Sequence, residues 1–230
     1  ADGDAVARLA AIASRRGVHV VAGFAEAAAD TRHDAAVLVG PEGVVGHYRG
    51  LHLDAATRAW ARPGTRFVVH DTPVGRIGLL LGGDALLPEA ARVLALRGCD
   101  LIACPAAITA RTTMPHAGSA IAQNWPIPTG ADAHHWHHLR CRAGENNVYF
   151  AYANAVGDAA GGDGGRSGVF GPDTFAFPRR EGIVAAGEGI AAAEIDTTNL
   201  DTPYTTNVVR RKDLVLMRLP HHYAPLIARN

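Results

Sequence analysis

The amino-acid sequence predicts one layered domain of the α/β or α+β class. Segments with helical apolar periodicity alternate with short β-branched runs, which is typical of mixed layered folds. Some neighbouring strand-like runs are joined by a tight turn and others by a helix, so both hairpins and crossovers are expected. The 230 residues contain no internal repeat, low-complexity linker or break in composition. We therefore predict a single domain over residues 1–230, with residues 197–230 as an extended C-terminal arm.

The first third of the chain predicts a helix followed by several strands. The helix begins at Asp4, carries basic residues in its last turn and ends at Gly17, a charge order that suits the helix dipole. Five β-branched runs between turn residues predict strands at residues 18–24, 35–40, 44–50, 66–71 and 76–81. The turn Pro41-Glu42-Gly43 joins the second and third of these strands as a hairpin.

The rest of the chain continues the alternation. Pro88 and Glu89 begin a helix that ends at Gly98. Residues 108–133 are too long and too rich in proline and glycine for a plain connection, so we expect an excursion over a cleft. The remaining predicted elements are a strand at 100–107, a helix at 134–147, a strand at 148–156 and further strand material at 183–196.

Composition excludes several classes of function. Lys plus Arg (22) equals Asp plus Glu (22) and basic residues form no run, so neither nucleic acid nor an anionic membrane is an expected partner. The sequence has no apolar run long enough to span a membrane and no signal-peptide pattern at its start. Three cysteines, an odd number, favour a reduced cytoplasmic setting over a disulfide framework. No cofactor is predicted.

The segment HHWHH has a spacing that can bind zinc. His134 lies one helical turn from His137 and His138, the spacing by which paired imidazoles hold the metal. The segment has no central glutamate and the sequence suggests no further ligand. A solvated or partner-facing helix is therefore the preferred interpretation, and a metal-dependent enzyme remains a minor alternative.

Other reactive residue types have structural interpretations as well. Cys99 and Cys104 lie in apolar segments, where cysteine usually acts as a small hydrophobic residue. The glycine-rich segment 161–168 lacks the Lys-Ser ending of a nucleotide-binding loop and predicts a plain turn. Glu145 lies near Arg140 and Arg142, so a structural ion pair and a catalytic base are both open.

Five segments in a fixed order resemble the carbon-nitrogen hydrolase (nitrilase) family. They are AAVLVGPEGVVGHYRGLHL, GRIGLLLGGDALLPEAARVLALRGCDLIACPAA, HHWHHLRCRAGENNVYFAYAN, SGVFGPDTFAF, and EIDTTNL with RRKDL. The resemblance implies an α/β fold of four layers, an α-β-β-α sandwich, with a pocket at the strand ends. It also implies a homo- or hetero-oligomer formed through a helix and the C-terminal arm.

The positions that correspond to the family's catalytic residues hold other residue types in this chain. The resemblance implies a cysteine nucleophile, a general-base glutamate and a lysine that stabilises the oxyanion. The cysteine position, two residues before Asp84, holds Gly82. The lysine position, in Tyr48-Arg49-Gly50-Leu51-His52-Leu53, holds Gly50. A second family glutamate would fall close to Arg58.

The resemblance also implies a strand-helix-strand unit upstream of the first helix. That unit would carry the general-base glutamate, and Glu26 follows the wrong strand to replace it. We therefore expect an N-terminally incomplete sandwich. One of its sheets would have an unpaired edge, which another part of a longer polypeptide or another chain would cover.

These substitutions predict a catalytically degenerate domain, a pseudoenzyme with a structural, regulatory or ligand-binding role. No catalytic residue is intact, but a pocket able to take a small-molecule ligand is retained. We predict its residues to be Gly82, Gly83, Asp84, Glu89, Arg49, His52, Arg58 and Glu145. The alternative is an active hydrolase of the amidase or carbamoylase type, acting on non-peptide carbon-nitrogen bonds, with its nucleophile relocated to Cys104.

Overall fold

The computed structural model describes residues 3–108, 134–157, 164–173, 181–185, 187–197 and 216–228. The α-helices in these ranges are α1 Asp4–Arg16, α2 Ala55–Arg58, α3 Gly82–Ala85, α4 Pro88–Leu96 and α5 His134–Asn146, and two 3₁₀ helices span Pro220–His222 and Ala224–Leu226. The strands are β1 Val20–Ala28, β2 Thr31–Gly40, β3 Gly43–Arg49, β4 Val69–Thr72, β5 Gly75–Leu79, β6 Leu101–Ala106, β7 Tyr149–Asn154, β8 Gly168–Phe170 and β9 Gly182–Ile183.

Two sheets contain all the described strands. The first is antiparallel with the order β1-β2-β3, and the second is mixed with the order β4-β5-β6-β7-β8-β9. In the second sheet β5, β6 and β7 are parallel neighbours. Their carboxyl ends therefore meet at one edge, which is where a site is expected in sheets of this kind.

The sheets and helices form four layers. On one face of β2, Val37 and Val39 pack against α1, and on the other face Ala36 and Leu38 join the core shared with the second sheet. The opposite face of the second sheet packs against α4, where Leu94 contacts Gly78 of β5, and against α5. Helix, sheet, sheet and helix pair follow one another, so the predicted α-β-β-α sandwich is confirmed.

Local sequence signals explain why the first helix and the predicted hairpin form. Helix α1 ends at Gly17, whose φ of 64° is in the left-handed region that glycine adopts without strain. Strands β2 and β3 pair around the predicted turn, with Gly40 opposite Gly43. A second hairpin, between β1 and β2, was not predicted, and in its turn Ala29 adopts a φ of 48°.

Two other expectations differ from the structure. Residues 183–196 were predicted to supply strand material, but β9 includes only Ile183 of them, and residues 187–197 contain no strand. Gly187 adopts a φ of 67°, which is incompatible with an extended strand. Residues 109–133, residues 161–163 of the glycine-rich segment and residues 198–215 of the predicted arm lie outside the described residues. No helix in the part of the chain that the structure describes is long and apolar enough to cross a bilayer.

Candidate functional site

A cleft of about 430 Å³ opens at the carboxyl ends of β5, β6 and β7. We call it the Gly82 cleft, because α3 begins there at Gly82, directly after the corner that follows β5. Its lining residues come from both sheets and from the segment around α2. They are Gly23, Phe24, Ala25, Asp34, Asp54, Thr57, Trp60, Leu81, Gly82, Gly83, Pro105, Ala106, Ala107, Ile108, Ala153 and Ala155.

The backbone at Gly82 does not require glycine. Its φ lies outside the left-handed region, and a β-carbon added there would lie 3.2 Å from Ile108 Cγ1 and 3.4 Å from Ala106 Cβ. These are side-chain neighbours that a small shift can accommodate. The position therefore accepts a β-carbon after a small shift of its neighbours, yet it carries no side chain.

Gly83 is a glycine for a different reason. A β-carbon at this position would collide with the backbone carbonyl oxygen of His52, and a backbone group cannot rotate away as a side chain can. The two glycines of the corner are thus not equivalent. Gly83 permits a close approach of two chain segments, whereas Gly82 lines the cleft without contributing a side chain.

We expect Gly83→Ala to destabilise the protein more than Gly82→Ala does. Overpacking against the His52 carbonyl should lower the free energy of unfolding by about 1–3 kcal/mol, whereas Gly82→Ala should change it by less than about 1 kcal/mol. Urea denaturation of the two variants checks this order. Equal losses would show that the corner does not discriminate between the two positions.

Gly50 is also free of a backbone constraint. Its N–H donates to the Asp34 carbonyl at 2.9 Å, and its φ lies outside the left-handed region. A β-carbon at this position would lie 3.3 Å from Leu81 Cδ1 and 3.4 Å from Leu53 Cδ2, so a β-carbon could be accommodated with small shifts. The backbone therefore does not require glycine at the position that the resemblance assigns to lysine.

Asp84 anchors the corner from inside the protein. The side chain is buried, and its carboxylate accepts hydrogen bonds from the Tyr48 hydroxyl at 2.7 Å, from the His52 amide at 2.9 Å and from the Leu81 amide at 3.3 Å. The His52 ring Nδ1 lies 2.8 Å from the same carboxylate. Burial and the neighbouring Asp84 carboxylate raise the pKa of Tyr48, so this tyrosine stays a neutral donor. Asp84 and His52 hold the corner in place and do not line the cleft.

Arg49 and Glu26 pair with each other outside the cleft. The Arg49 guanidinium donates to both Glu26 carboxylate oxygens, at 2.6 and 3.1 Å, and these hydrogen bonds lower the pKa of Glu26. A glutamate held as a paired carboxylate is a poor general base. Arg49 is not among the described residues that line the Gly82 cleft, because β3 turns its side chain toward β1 and Glu26.

Three more predicted pocket residues lie elsewhere. Helix α2 presents Thr57 to the cleft, and its last residue, Arg58, is exposed on another side. Glu89 is exposed in the first turn of α4. Glu145 accepts a hydrogen bond from Arg142 at 2.9 Å, so of its two possible roles the ion pair is the one observed.

Cys104 is a poor candidate for a relocated nucleophile. Its side chain is only 2% exposed, and burial, with the nearby Asp84 and Asp34 carboxylates, raises the pKa of its thiol well above the usual value. The reactive thiolate is thereby disfavoured. Cys99 is also buried, and Cys141 is exposed.

The described part of the histidine helix makes structural contacts. The His135 Nε2 atom lies 3.2 Å from the Arg166 carbonyl oxygen, and its ring centroid lies 5.3 Å from that of Tyr152. His137 is exposed, and the side chain of His134 lies outside the described residues. Among the residues that the structure describes, no group of three His, Cys, Asp or Glu side chains could hold a metal.

Sequence reasoning missed the two charged residues that line the cleft, Asp34 and Asp54. Asp54 accepts a hydrogen bond from the Thr57 amide at 2.7 Å and caps α2. Asp34 is half-buried on β2, where burial and the carboxylates of Asp84 and Asp54 raise its pKa. An aspartate inside the β-branched run RHDAAVLV was the available signal, because strands are depleted in aspartate.

Comparison with known proteins finds a matching family and several similar proteins. The sequence model of the carbon-nitrogen hydrolase family matches residues 1–197. The chain is 34% identical to a nitrilase of Pyrococcus abyssi over 85% of this chain and 66% of that protein, so it spans just under two thirds of that relative. It is 28% identical to an omega-amidase of Homo sapiens over 86% of this chain and 68% of that protein.

Solved structures show the same fold. A carbon-nitrogen hydrolase from Helicobacter pylori G27 matches with a TM-score of 0.77 and 25% identity, over 98% of this chain and 76% of that chain. A point variant of the amidase from Nesterenkonia sp. AN1 matches with a TM-score of 0.69 and 22% identity, over 96% of this chain and 72% of that chain. That structure contains the acetamide moiety of fluoroacetamide covalently added at the active-site cysteine.

Proposed function

The chain belongs to the carbon-nitrogen hydrolase family, and from that premise we propose that it is a catalytically degenerate member with a structural, regulatory or ligand-binding role. The observation that carries the proposal is Gly82, a bare position at the wall of a cleft where the family resemblance expects the nucleophilic cysteine. Its neighbours would tolerate a β-carbon after a small shift, and its backbone conformation does not require glycine.

The missing side chains remove two linked steps of the expected chemistry. Glycine cannot attack a carbonyl or nitrile carbon, and loss of a nucleophile in an otherwise complete site costs roughly a million-fold in kcat. Gly50 removes the lysine that would stabilise the negative charge developing on the attacked group. The side chain that would attack the substrate and the side chain that would stabilise the developing charge are both absent. Restoring only one of them would therefore not complete the catalytic site.

A relocated nucleophile is less well supported than loss of hydrolysis. Cys104 would have to ionise in an apolar environment beside two carboxylates, and both conditions favour the neutral thiol. The described residues that line the Gly82 cleft include no cysteine, lysine or histidine. If the protein does hydrolyse a substrate, its family membership implies a non-peptide carbon-nitrogen bond.

Oligomerisation through a helix and the C-terminal arm stays a prediction, as does the division into one domain and an arm. Part of the arm, residues 216–228, is described and is unusually apolar at its surface. Its exposed apolar side chains are Leu216, Met217, Leu219, Tyr223, Leu226 and Ile227. A second copy or another subunit would remove this surface from water, which supports the prediction.

Ammonia release from simple amides, carbamoyl compounds and nitriles tests the proposed function. We expect the rate with the protein to equal the rate in buffer alone for all three classes, because position 82 carries no nucleophile. Turnover well above that background would show that the domain is an active hydrolase and that the proposal is wrong.

A further inference from the structure

We infer that the Gly82 cleft is selective for a small ligand carrying a protonated amine, with Asp34 as its principal partner. The inference rests on the proposed function, because it assumes that the cleft binds a ligand without hydrolysing it. It goes further by assigning the charge of that ligand and the residue that recognises it.

The charges of the cleft have one sign. Among the described residues that line it, the charged side chains are Asp34 and Asp54, and neither lysine nor arginine is present. The lining also includes small or apolar residues such as Gly82, Ala106 and Ile108. A cavity of about 430 Å³ has the volume of a small-molecule site. The polar groups here are complementary to a cation.

Asp34 lacks a counter-charge within the described structure. Its backbone carbonyl accepts from Gly50, but its half-buried carboxylate makes no hydrogen bond or ion pair with the described residues. Burial first, and then repulsion from Asp84 and Asp54, raises the pKa of this carboxylate. A cation beside the carboxylate would favour its charged form and so oppose that shift, and cation binding and the ionisation of Asp34 therefore reinforce each other.

The three neighbouring carboxylates differ in how many hydrogen bonds they already accept from the protein. Asp84 accepts from Tyr48 and His52 in the interior. Asp54 caps α2, and its hydrogen bonds with Thr57 lower its pKa, so it stays ionised. Asp54 thus contributes a fixed negative charge, and Asp34 has unused hydrogen-bonding capacity toward a ligand.

Aromatic side chains add a second attraction for a cation. Trp60 lines the cleft and is 42% exposed, and Phe24 also lines it. Aromatic faces attract ammonium groups because their quadrupole is negative. An aromatic face does not attract a carboxylate in this way. The negative charges and the aromatic residues of the cleft therefore both favour a cationic ligand over an anionic one.

Three probes of similar shape separate the possible ligand classes: butylammonium, butyramide and butyrate. Calorimetric titration of the full chain at about pH 7.5 should give the tightest binding for butylammonium, weaker binding for butyramide and the weakest for butyrate. Failure to detect butylammonium binding at about 10 mM would overturn the inference, and so would tighter binding of either other probe.

Matched variants show whether Asp34 is responsible. Asp34→Asn keeps the shape and should weaken butylammonium binding about tenfold, with less than about a twofold effect on butyramide. Asp30→Asn removes the same charge from an exposed turn of the same hairpin and should have no more than about a twofold effect. Equal effects of the two substitutions would show that general charge, rather than Asp34, sets the preference, which contradicts the inference.

The pH dependence gives an independent check. A protonated Asp34 no longer attracts a cation, so butylammonium affinity should fall between about pH 7.5 and about pH 4.5, and Asp34→Asn should flatten this change. An equally steep change in the variant would assign the effect to another group and overturn the role of Asp34. Hydrolysis of butyramide would instead contradict the proposed function, so the two failures are distinguishable.

Discussion

Replacing Asp84 with alanine should lower the free energy of unfolding by about 3–5 kcal/mol. The substitution removes a buried acceptor and leaves the Tyr48 hydroxyl and the His52 amide without their hydrogen-bond partner. It also removes the carboxylate that holds the N-terminus of α3 through Leu81. Urea denaturation, with the same transition followed by circular dichroism and fluorescence, measures the loss.

Two controls separate this effect from a simple loss of charge. Asp84→Asn keeps one oxygen acceptor in nearly the same place and should cost less than Asp84→Ala. Asp71→Ala removes a surface carboxylate, 85% exposed and paired with Arg76, and should cost no more than about 1 kcal/mol. If Asp84→Ala were no more costly than Asp71→Ala, the corner would not depend on its buried carboxylate.

Substituting Gly82 with cysteine should create a reactive thiol at the cleft. In the wild-type chain Cys141 is exposed, whereas Cys99 and Cys104 are buried, so a thiol reagent should label one of the three cysteines quickly. In Gly82→Cys we expect two rapidly labelled thiols, with the introduced one reacting at least about a hundredfold faster than Cys104. Mass spectrometry after brief treatment with iodoacetamide counts and locates the labels.

The matched control for this experiment is Ala91→Cys. Ala91 lies in α4 and is fully buried, so a thiol placed there should be shielded from the reagent as long as the protein is folded. Absence of a second label in a folded Gly82→Cys variant would show that position 82 is closed to the cleft. That result would remove the main support for the proposal that Gly82 occupies the position of a lost nucleophile.

The elements predicted correctly are those with local signals. Helix α1 has an acidic start, a basic end and a terminal glycine, and α4 has proline at its first position. Both helices could therefore be predicted from nearby residues, without knowledge of tertiary contacts. The β1–β2 hairpin was missed because its turn uses Ala29 in the left-handed region and has no glycine or asparagine to mark it. The pairing of β1 with β2 and a hydrogen bond from the Thr31 hydroxyl to the Ala28 carbonyl at 2.9 Å close that turn.

The cleft was predicted less well than the fold because distant segments build it. Gly82 and Gly83 were found from the strand-to-helix corner. Asp34 and Asp54 come from β2 and from the cap of α2, and only the packing of two sheets brings them near that corner. Arg58 was assigned to the pocket only because it falls near a glutamate position of the resembled family, and in the structure the residue of α2 that lines the cleft is Thr57.

The central claim, that this family member has lost covalent hydrolysis, is tested most directly by ammonia release in the presence of any natural partner. Wild type and Cys104→Ala are compared on amides, carbamoyl compounds and nitriles, with buffer as the blank. The account predicts that both proteins match the blank for all three classes. Turnover by wild type that scales with protein concentration would contradict it, and loss of that turnover in Cys104→Ala would identify Cys104 as the relocated nucleophile.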